Sequence, residues 1–198
     1  MFYIVEIEDH VRVEPKLFGL PTSQAVEMQL KESYVGEYKK SLGMGIAVVK
    51  VARVGKGIII PGDGAAYYES NFKIVVWKPT LQELVYGTIE EITNFGAFIN
   101  MAGVMKGMIH ISQTMDDFVT FSDSESLSGR DSNRTLVKGD TCLARIVAIS
   151  HKGGDPKIGL TMRQPGLGKL EWIKEDAKKQ ENNAKKQENE TKSGKGKK

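Results

Sequence analysis

Between Leu84 and Met162 the chain strings together five short runs rich in β-branched residues: Leu84 to Ile92, Gly96 to Met101, Met108 to Ile111, Thr141 to Ile149 and Lys157 to Met162. No helix-period stretch separates them. Parallel neighbours in a sheet need a long crossover, usually helical, so five strands without one must pair mainly antiparallel. A sheet this small escapes exposed edges by closing on itself, and a small closed or nearly closed barrel is predicted. The one long connection is Ser112 to Lys138, a polar insertion carrying Asp116, Asp117, Asp123, Glu125 and Asp131. Its polarity predicts a mobile excursion or hairpin outside the core.

The first 79 residues have a different rhythm. Phe2 to Val13 alternates imperfectly and reads as a strand that stops at Pro15. After Gly19-Leu20-Pro21 a helix is predicted, with Thr22 or Ser23 as its cap and Val26, Leu30, Tyr34 and Tyr38 at fourfold spacing. Gly43 and Gly45 follow, then strands at Ile46 to Val54, Gly57 to Ile60 and Phe72 to Trp77, and Lys78-Pro79 closes a β-α-β-β-β unit. Beyond the barrel, Leu167, Leu170, Trp172 and Ile173 offer enough apolar surface to pack back on the body. From Glu175 onward there is no large apolar residue, and AKKQEN recurs at Ala177 to Asn182 and Ala184 to Asn189. The predicted class is α+β: an N-terminal domain over 1–79, a barrel domain over 80–173 with its insertion at 112–138, and a disordered lysine-rich tail over 174–198.

Charge narrows the partner classes. The formal net charge is +3, but Lys174 to Lys198 holds nine lysines against five acids, leaving nineteen basic and twenty acidic side chains for residues 1 to 173. The body is neutral, so a nucleic-acid site must be a local patch and not a whole-domain basic field. Cys142 is the only cysteine, which removes intramolecular disulfides and cysteine-built metal sites and fits a reducing compartment. Met1 to Glu8 has no basic region ahead of its apolar residues, and no run approaches the ~18 apolar residues of a membrane span. A soluble cytoplasmic protein without a membrane partner or cofactor is expected.

Alternation along the barrel strands places the chemistry. In Phe95-Gly96-Ala97-Phe98-Ile99 it sends Ala97 and Ile99 inward and Phe98 outward, with Gly96 leaving the ring uncovered. In Met108-Ile109-His110-Ile111, Ile109 and Ile111 point inward and His110 outward, beside Phe98 if the strands pair. Phe95, Phe98 and His110 are thus predicted to form a flat platform, suited to single-stranded nucleic acid because every base has a π-face. On the fourth strand Cys142, Ala144, Ile146 and Ala148 share the inner face and Arg145 the outer, and Lys157 is outward on the last strand. Arg145 and Lys157 are candidates for phosphate contacts. The competing reading is that the phenylalanines only cap the barrel.

Enzyme readings find less support. Gly62-Asp63-Gly64 is half a dinucleotide fingerprint, but Tyr67 stands where the third glycine belongs and no helical pattern follows. The plainer reading is a turn with left-handed backbone at Gly62 and Gly64, forming a compact tip from which Asp63 presents a charge. His10, His110 and His151 lack metal spacing or a paired nucleophile. Asp116-Asp117 has the chemistry to hold Mg²⁺, but adjacent carboxylates are more often simply solvated.

Two resemblances sharpen these expectations. Tyr86 to Ser112, with Gly-x-x-x-x-Ile-x-x-Phe-Gly-Ala-Phe and Gly-Met-Ile-His-Ile-Ser, resembles the OB-fold RNA-binding repeat of the large bacterial ribosomal protein, shared with exosome and polynucleotide phosphorylase subunits. Phe95, Phe98 and His110 match that family's RNA-facing positions and Lys157 its basic residue on the last strand, whereas Ser150 stands where many members carry an acid and Gly153-Gly154-Asp155-Pro156 lengthens the turn. Gly62-Asp63-Gly64-Ala65-Ala66-Tyr67, His110-Ile111-Ser112-Gln113 with Met115-Asp116-Asp117, and Leu160 to Pro165 followed by Leu167 to Ile173 resemble the E-prime family of archaeal RNA polymerase subunits, counterpart of the seventh subunit of eukaryotic polymerase II, over roughly residues 1 to 173. That resemblance implies an OB-fold second domain and a non-catalytic stalk subunit. It implies a heterodimer with a smaller helical partner, the F subunit of RNA polymerase. It also implies docking of the first domain on the polymerase core through the Gly62-Asp63-Gly64 tip, and contact of the second with emerging single-stranded RNA. An RNA-binding cap subunit of an exosome-like complex and an initiation-factor-like translation protein are the alternatives, with an unrecognised hydrolase as the enzymatic one.

Overall fold

The computed structural model describes residues 1–122, 125–151 and 156–179. The chain divides into two compact units, with the boundary between Thr80 and Leu81.

The first unit contains β1 (Phe2–Val13), a 3-10 turn at Pro15–Leu17, α1 (Thr22–Tyr34), β2 (Tyr38–Lys39), β3 (Gly43–Ile59) and β4 (Ala66–Trp77), with sheet order β1-β4-β3-β2 and all pairs antiparallel. Helix α1 lays Ala25, Val26, Leu30 and Tyr34 on the sheet, against Val11, Val13, Phe72, Ile74 and Val76. Its cap position is Pro21, with no side-chain cap, and not Thr22 or Ser23. The helix also stops at Tyr34, one turn short of Tyr38. The reason is tertiary: the Tyr34 carbonyl lies where a Cβ on Gly45 would approach it to 1.9 Å, Gly36 turns with φ +84°, and Tyr38 pairs with Met44 in β2 instead. Where two strands were expected across Gly55-Lys56-Gly57, β3 is one 17-residue strand. Of its four register shifts against β4, the last, between Val54 and Gly57, takes up Gly55 and Lys56 as a bulge, so a turn is not needed.

The second unit is built on β5 (Leu84–Thr93), β6 (Gly96–Met101), β7 (Met105–His110), β11 (Thr141–Ser150) and β12 (Lys157–Thr161), in the order β12-β7-β6-β5-β11 with β11 also pairing β12. The ring is therefore closed. Val85, Ile89, Ile92, Ala97, Ile99, Ile109, Ala144, Ile146, Ile158 and Leu160 fill it. Two placements depart from simple alternation. A bulge between Ile146 and Ala148 inserts Val147 and turns Ala148 to solvent, so Ile149, not Ala148, faces Ile158. β7 starts at Met105 and ends at His110, and Ile111, half-buried, opens a 3-10 turn, Ile111–Gln113.

The insertion is not an excursion outside the core. It forms β8 (Val119–Ser122), β9 (Ser126–Gly129) and β10 (Thr135–Val137), an antiparallel meander in which Leu127 and Leu136 are fully buried. Asp117 organises it: its carboxylate accepts from the Phe118, Asp131 and Ser132 amides and the Ser132 hydroxyl, which hold it below its ordinary pKa. After β13 (Gly168–Lys169), which pairs with β11, a helix spans residues 170–179. Trp172 is buried, the Arg134 guanidinium sits 5.5 Å over its ring, and Arg134 pairs with Asp176. The helix thus runs past the expected boundary at 174, and Asp176 has its partner on the insertion. The expected disorder beyond it, at 180–198, and the Gly153-Gly154-Asp155 turn lie outside the described residues. Among the described residues no helix is long and apolar enough to cross a membrane.

Candidate nucleic-acid interface

β6 and β7 pair with Gly96 opposite His110 and Phe98 opposite Met108. The pairing is tight at Gly96, where a Cβ would stand 2.1 Å from the Ile109 carbonyl oxygen. Only glycine permits this approach, and it draws Phe95, Phe98 and His110 into one neighbourhood. Phe95 is on the turn before β6 and is 46% exposed; Phe98 is half-buried in the wall. Their rings lie 6.0 Å apart at 87°. The platform is therefore stepped and not flat, as the ring quadrupoles favour.

His110 is exposed. Its Nδ1 accepts from the Ser112 amide at 3.3 Å and lies 2.8 Å from the Ser112 hydroxyl. With Nδ1 accepting the Ser112 amide, the neutral tautomer carries its proton on Nε2.

The outer face extends beyond the aromatics. β12 runs parallel to β7 with Gly159 opposite Met108, and Gly159 is opposite Ala148 across β11. Phe98, Met108, Gly159 and Ala148 thus form a row whose second half has almost no side chain, a shallow floor along which a chain can lie. Lys106 and Lys157 stand exposed on the same strands, with Lys106 3.0 Å from Glu90. Arg145 is opposite Thr161, at the other end of β12 from Lys157; it is half-buried and its Nε is enclosed without a partner among the described residues. The expected basic pair is therefore split across the wall, about 13 Å apart at ~3.3 Å per residue. Lys106 and Met108 were not singled out from the sequence, although they alternate with His110 on one strand; the preceding Gly107 and the buried Met105 obscure the period.

The tip is in the first unit. Gly62 turns with φ +92°, but Gly64 is not left-handed and a Cβ there meets only Pro15 at 3.8 Å. Asp63 does not present a free charge, because its carboxylate is paired with Arg12. Arg12 donates to both its oxygens at 2.9 and 3.0 Å, the Tyr67 hydroxyl donates at 2.7 Å and the Ala65 amide at 3.2 Å, which together hold the carboxyl well below its ordinary range. What the hairpin shows to solvent is Ile58, Ile59 and Ile60, with Ile59 71% exposed. Asp116 pairs with Arg163 through one carboxylate oxygen at 2.9 Å and Asp117 is filled by its own loop, so the two carboxylates do not converge on a shared site. His10 and His151 are exposed, and among the described residues no group of three or more His, Cys, Asp or Glu side chains is placed to hold a metal ion.

Residues 8–64 match the SHS2 domain found in the N terminus of Rpb7p/Rpc25p/MJ0397, and residues 78–159 match the S1 RNA binding domain. The chain is 36% identical over 90% of its length to all of the DNA-directed RNA polymerase subunit Rpo7 of Saccharolobus solfataricus. It belongs to the Rpo7 family of DNA-directed RNA polymerase subunits. The Rpo7 of Sulfolobus acidocaldarius is 35% identical over 90% of this chain and 98% of its own. A more distant relative is the DNA-directed RNA polymerase III subunit RPC8 of Saccharomyces cerevisiae, 33% identical over 58% of this chain and 54% of its own. The Rpo7 relatives span both units, whereas the S1 match covers the barrel alone. The combination, and not the barrel, marks the family, whose members are non-catalytic subunits of the polymerase.

Proposed function

We propose that this Rpo7-family chain is the stalk subunit that pairs with the F subunit, docks on the polymerase core by its first unit and binds emerging single-stranded RNA on the barrel, in the cytoplasm. The observation that carries the RNA reading is the stepped Phe95–Phe98 pair beside His110, displayed over the bare floor at Gly159 and Ala148. Nothing in barrel packing requires a 46% exposed Phe95. Stacking supplies most of the affinity, because residues 80 to 173 carry nine basic against eleven acidic side chains. Few phosphates are neutralised, by Lys157, Arg145 and Lys106. For docking, the apolar Ile58–Ile60 edge, held in shape by the Arg12–Asp63–Tyr67 latch, fits a core surface better than a charged tip does.

A short labelled RNA followed by fluorescence anisotropy across several salt concentrations tests the barrel. With two or three phosphates engaged, the log–log slope is expected at about −1.4 to −2.1, from ~0.7 per phosphate. Phe98→Ala is expected to cost about 1–3 kcal/mol at unchanged slope, and Lys157→Ala to flatten the slope. Wild-type affinity in Phe98→Ala would count against the platform. Retention on immobilised core enzyme tests the tip, where Ile59→Asp is expected to weaken docking and leave pairing with the F subunit intact.

A further inference from the structure

The residues immediately after His110 leave the platform and enter a cleft. Ile111 and Ser112 line a cavity of about 770 Å³ whose other walls include Phe118, Asp116, Asp131 and Arg163. Its floor is continuous with the platform, since the Ile111 amide donates to the Phe95 carbonyl at 2.9 Å and Ser112 is bonded to His110.

Phe118 is 77% exposed, more than any other large apolar side chain among the described residues. Its backbone is nonetheless fixed on both sides: the amide donates to Asp117 at 2.6 Å and the carbonyl accepts from the Arg130 amide at 2.9 Å. Asp117 is itself held by the Ser132 amide and hydroxyl at 2.8 and 2.7 Å. A phenyl ring kept in water on so constrained a backbone is a stacking surface, not a frayed loop.

The cleft's charge says which part of a nucleotide it accepts. Three carboxylates face one guanidinium, so the interior repels phosphate and favours groups that donate hydrogen bonds. The oxygens of Asp117 are filled from its own loop, and Arg163 uses its Nε on one oxygen of Asp116. Among the described residues, Asp116 Oδ2 and the Asp131 carboxylate remain as acceptors, and the terminal nitrogens of Arg163 remain for an adjoining phosphate.

Building on the reading of the barrel face as an RNA platform, we infer that the cleft takes one unstacked base of the same strand, stacked on Phe118. Asp116 and Asp131 there select bases with an exocyclic amino group over uracil. A cytosine amine donates to a carboxylate where uracil at the same position turns only lone pairs toward it. Sequence tolerance on the platform is thereby joined to a preference at one neighbouring position.

Labelled C10 and U10 RNAs separate the two sites, because the pyrimidines present similar faces to Phe98 and differ on their hydrogen-bonding edge, at the 4-position amine or carbonyl and at N3. With the full chain in anisotropy titrations, C10 is expected to bind at least about fivefold tighter than U10, and Phe118→Ala to weaken C10 by about fivefold or more, bringing the ratio to one. Asp131→Asn is expected to lower the ratio with U10 affinity retained, and Phe98→Ala to weaken both RNAs and preserve the ratio. Phe118→Ala should melt with the wild type, so a lost ratio is not unfolding. If wild type binds C10 and U10 equally, or Phe118→Ala binds C10 like wild type, while Phe98→Ala still weakens both, the cleft is overturned and the platform stands. If Phe118→Ala abolishes the ratio and Phe98→Ala changes nothing, the cleft stands and the platform falls. Absence of binding to either RNA overturns both.

Discussion

At Gly96 the backbones of β6 and β7 approach so closely that a methyl group would overlap the Ile109 carbonyl, and this closeness sets the step between Phe95 and Phe98. Behind that wall, Cys142 shows the opposite environment. It is fully buried, and burial first, then the nearby Asp140 carboxylate, push its thiol from 9.0 up to about 12, against a smaller opposing pull from Lys169. The folded thiol binds its proton more tightly than the unfolded one. The stability this contributes is complete below pH 9 and is lost as pH rises toward 12. Native protein at pH 8 is accordingly expected to leave a thiol reagent such as DTNB unreacted until denaturant is added, with Cys142 then titrating as one thiol. Fast native reaction would show that the barrel opens locally.

The elements owe their limits to neighbours more than to their own propensities. The β11 bulge at Val147 re-aims Ala148 outward and so creates half of the bare floor beside Phe98. The insertion owes its order to Asp117 and to two leucines that sequence polarity concealed: Ser126, Ser128, Arg130 and Asp131 surround Leu127, yet Leu127 and Leu136 are at 0% exposure. Leu136→Ala is expected to cost about 2–5 kcal/mol, read as a lower denaturation midpoint at an unchanged m-value in urea. A midpoint equal to wild type would return the insertion to the status of a solvent excursion.

At the scale of the molecule, the C-terminal helix joins the barrel unit to the end of the described chain. It buries Trp172 under Arg134 and pairs Asp176 with the same guanidinium. Residues 180 to 198 contain no large apolar side chain to bury. A chain ending at Lys179 is therefore expected to melt with the full chain. One ending at Lys169 loses the Trp172 contact and is expected to melt several degrees lower, since deleting a buried Trp costs about 3–5 kcal/mol. Differential scanning calorimetry of the two truncations checks both. Equal melting of all three chains would mean that the helix only rests on the insertion.

The sequence by itself determined the two-unit order, the closed barrel, the inward set Ala97, Ile99, Ile109, Ala144 and Ile146, and the outward Phe98 and His110. These follow from local rules: period-2 alternation, glycine at a close approach, and short strands without a crossover. Only the tertiary structure decided where those rules are broken. Bulges cost one unpaired residue and leave no residue-type signature, so the outward turn of Ala148 and the continuity of β3 were not legible. Charges were legible but their partners were not: Asp63 looks free in the sequence and is neutralised by Arg12, which is 51 positions away along the chain. The cleft at Phe118 was hidden for the same reason. Its walls come from three segments, between β7 and β8, between β9 and β10 and after β12, and a concave surface assembled from distant segments exists only once the barrel has brought them together.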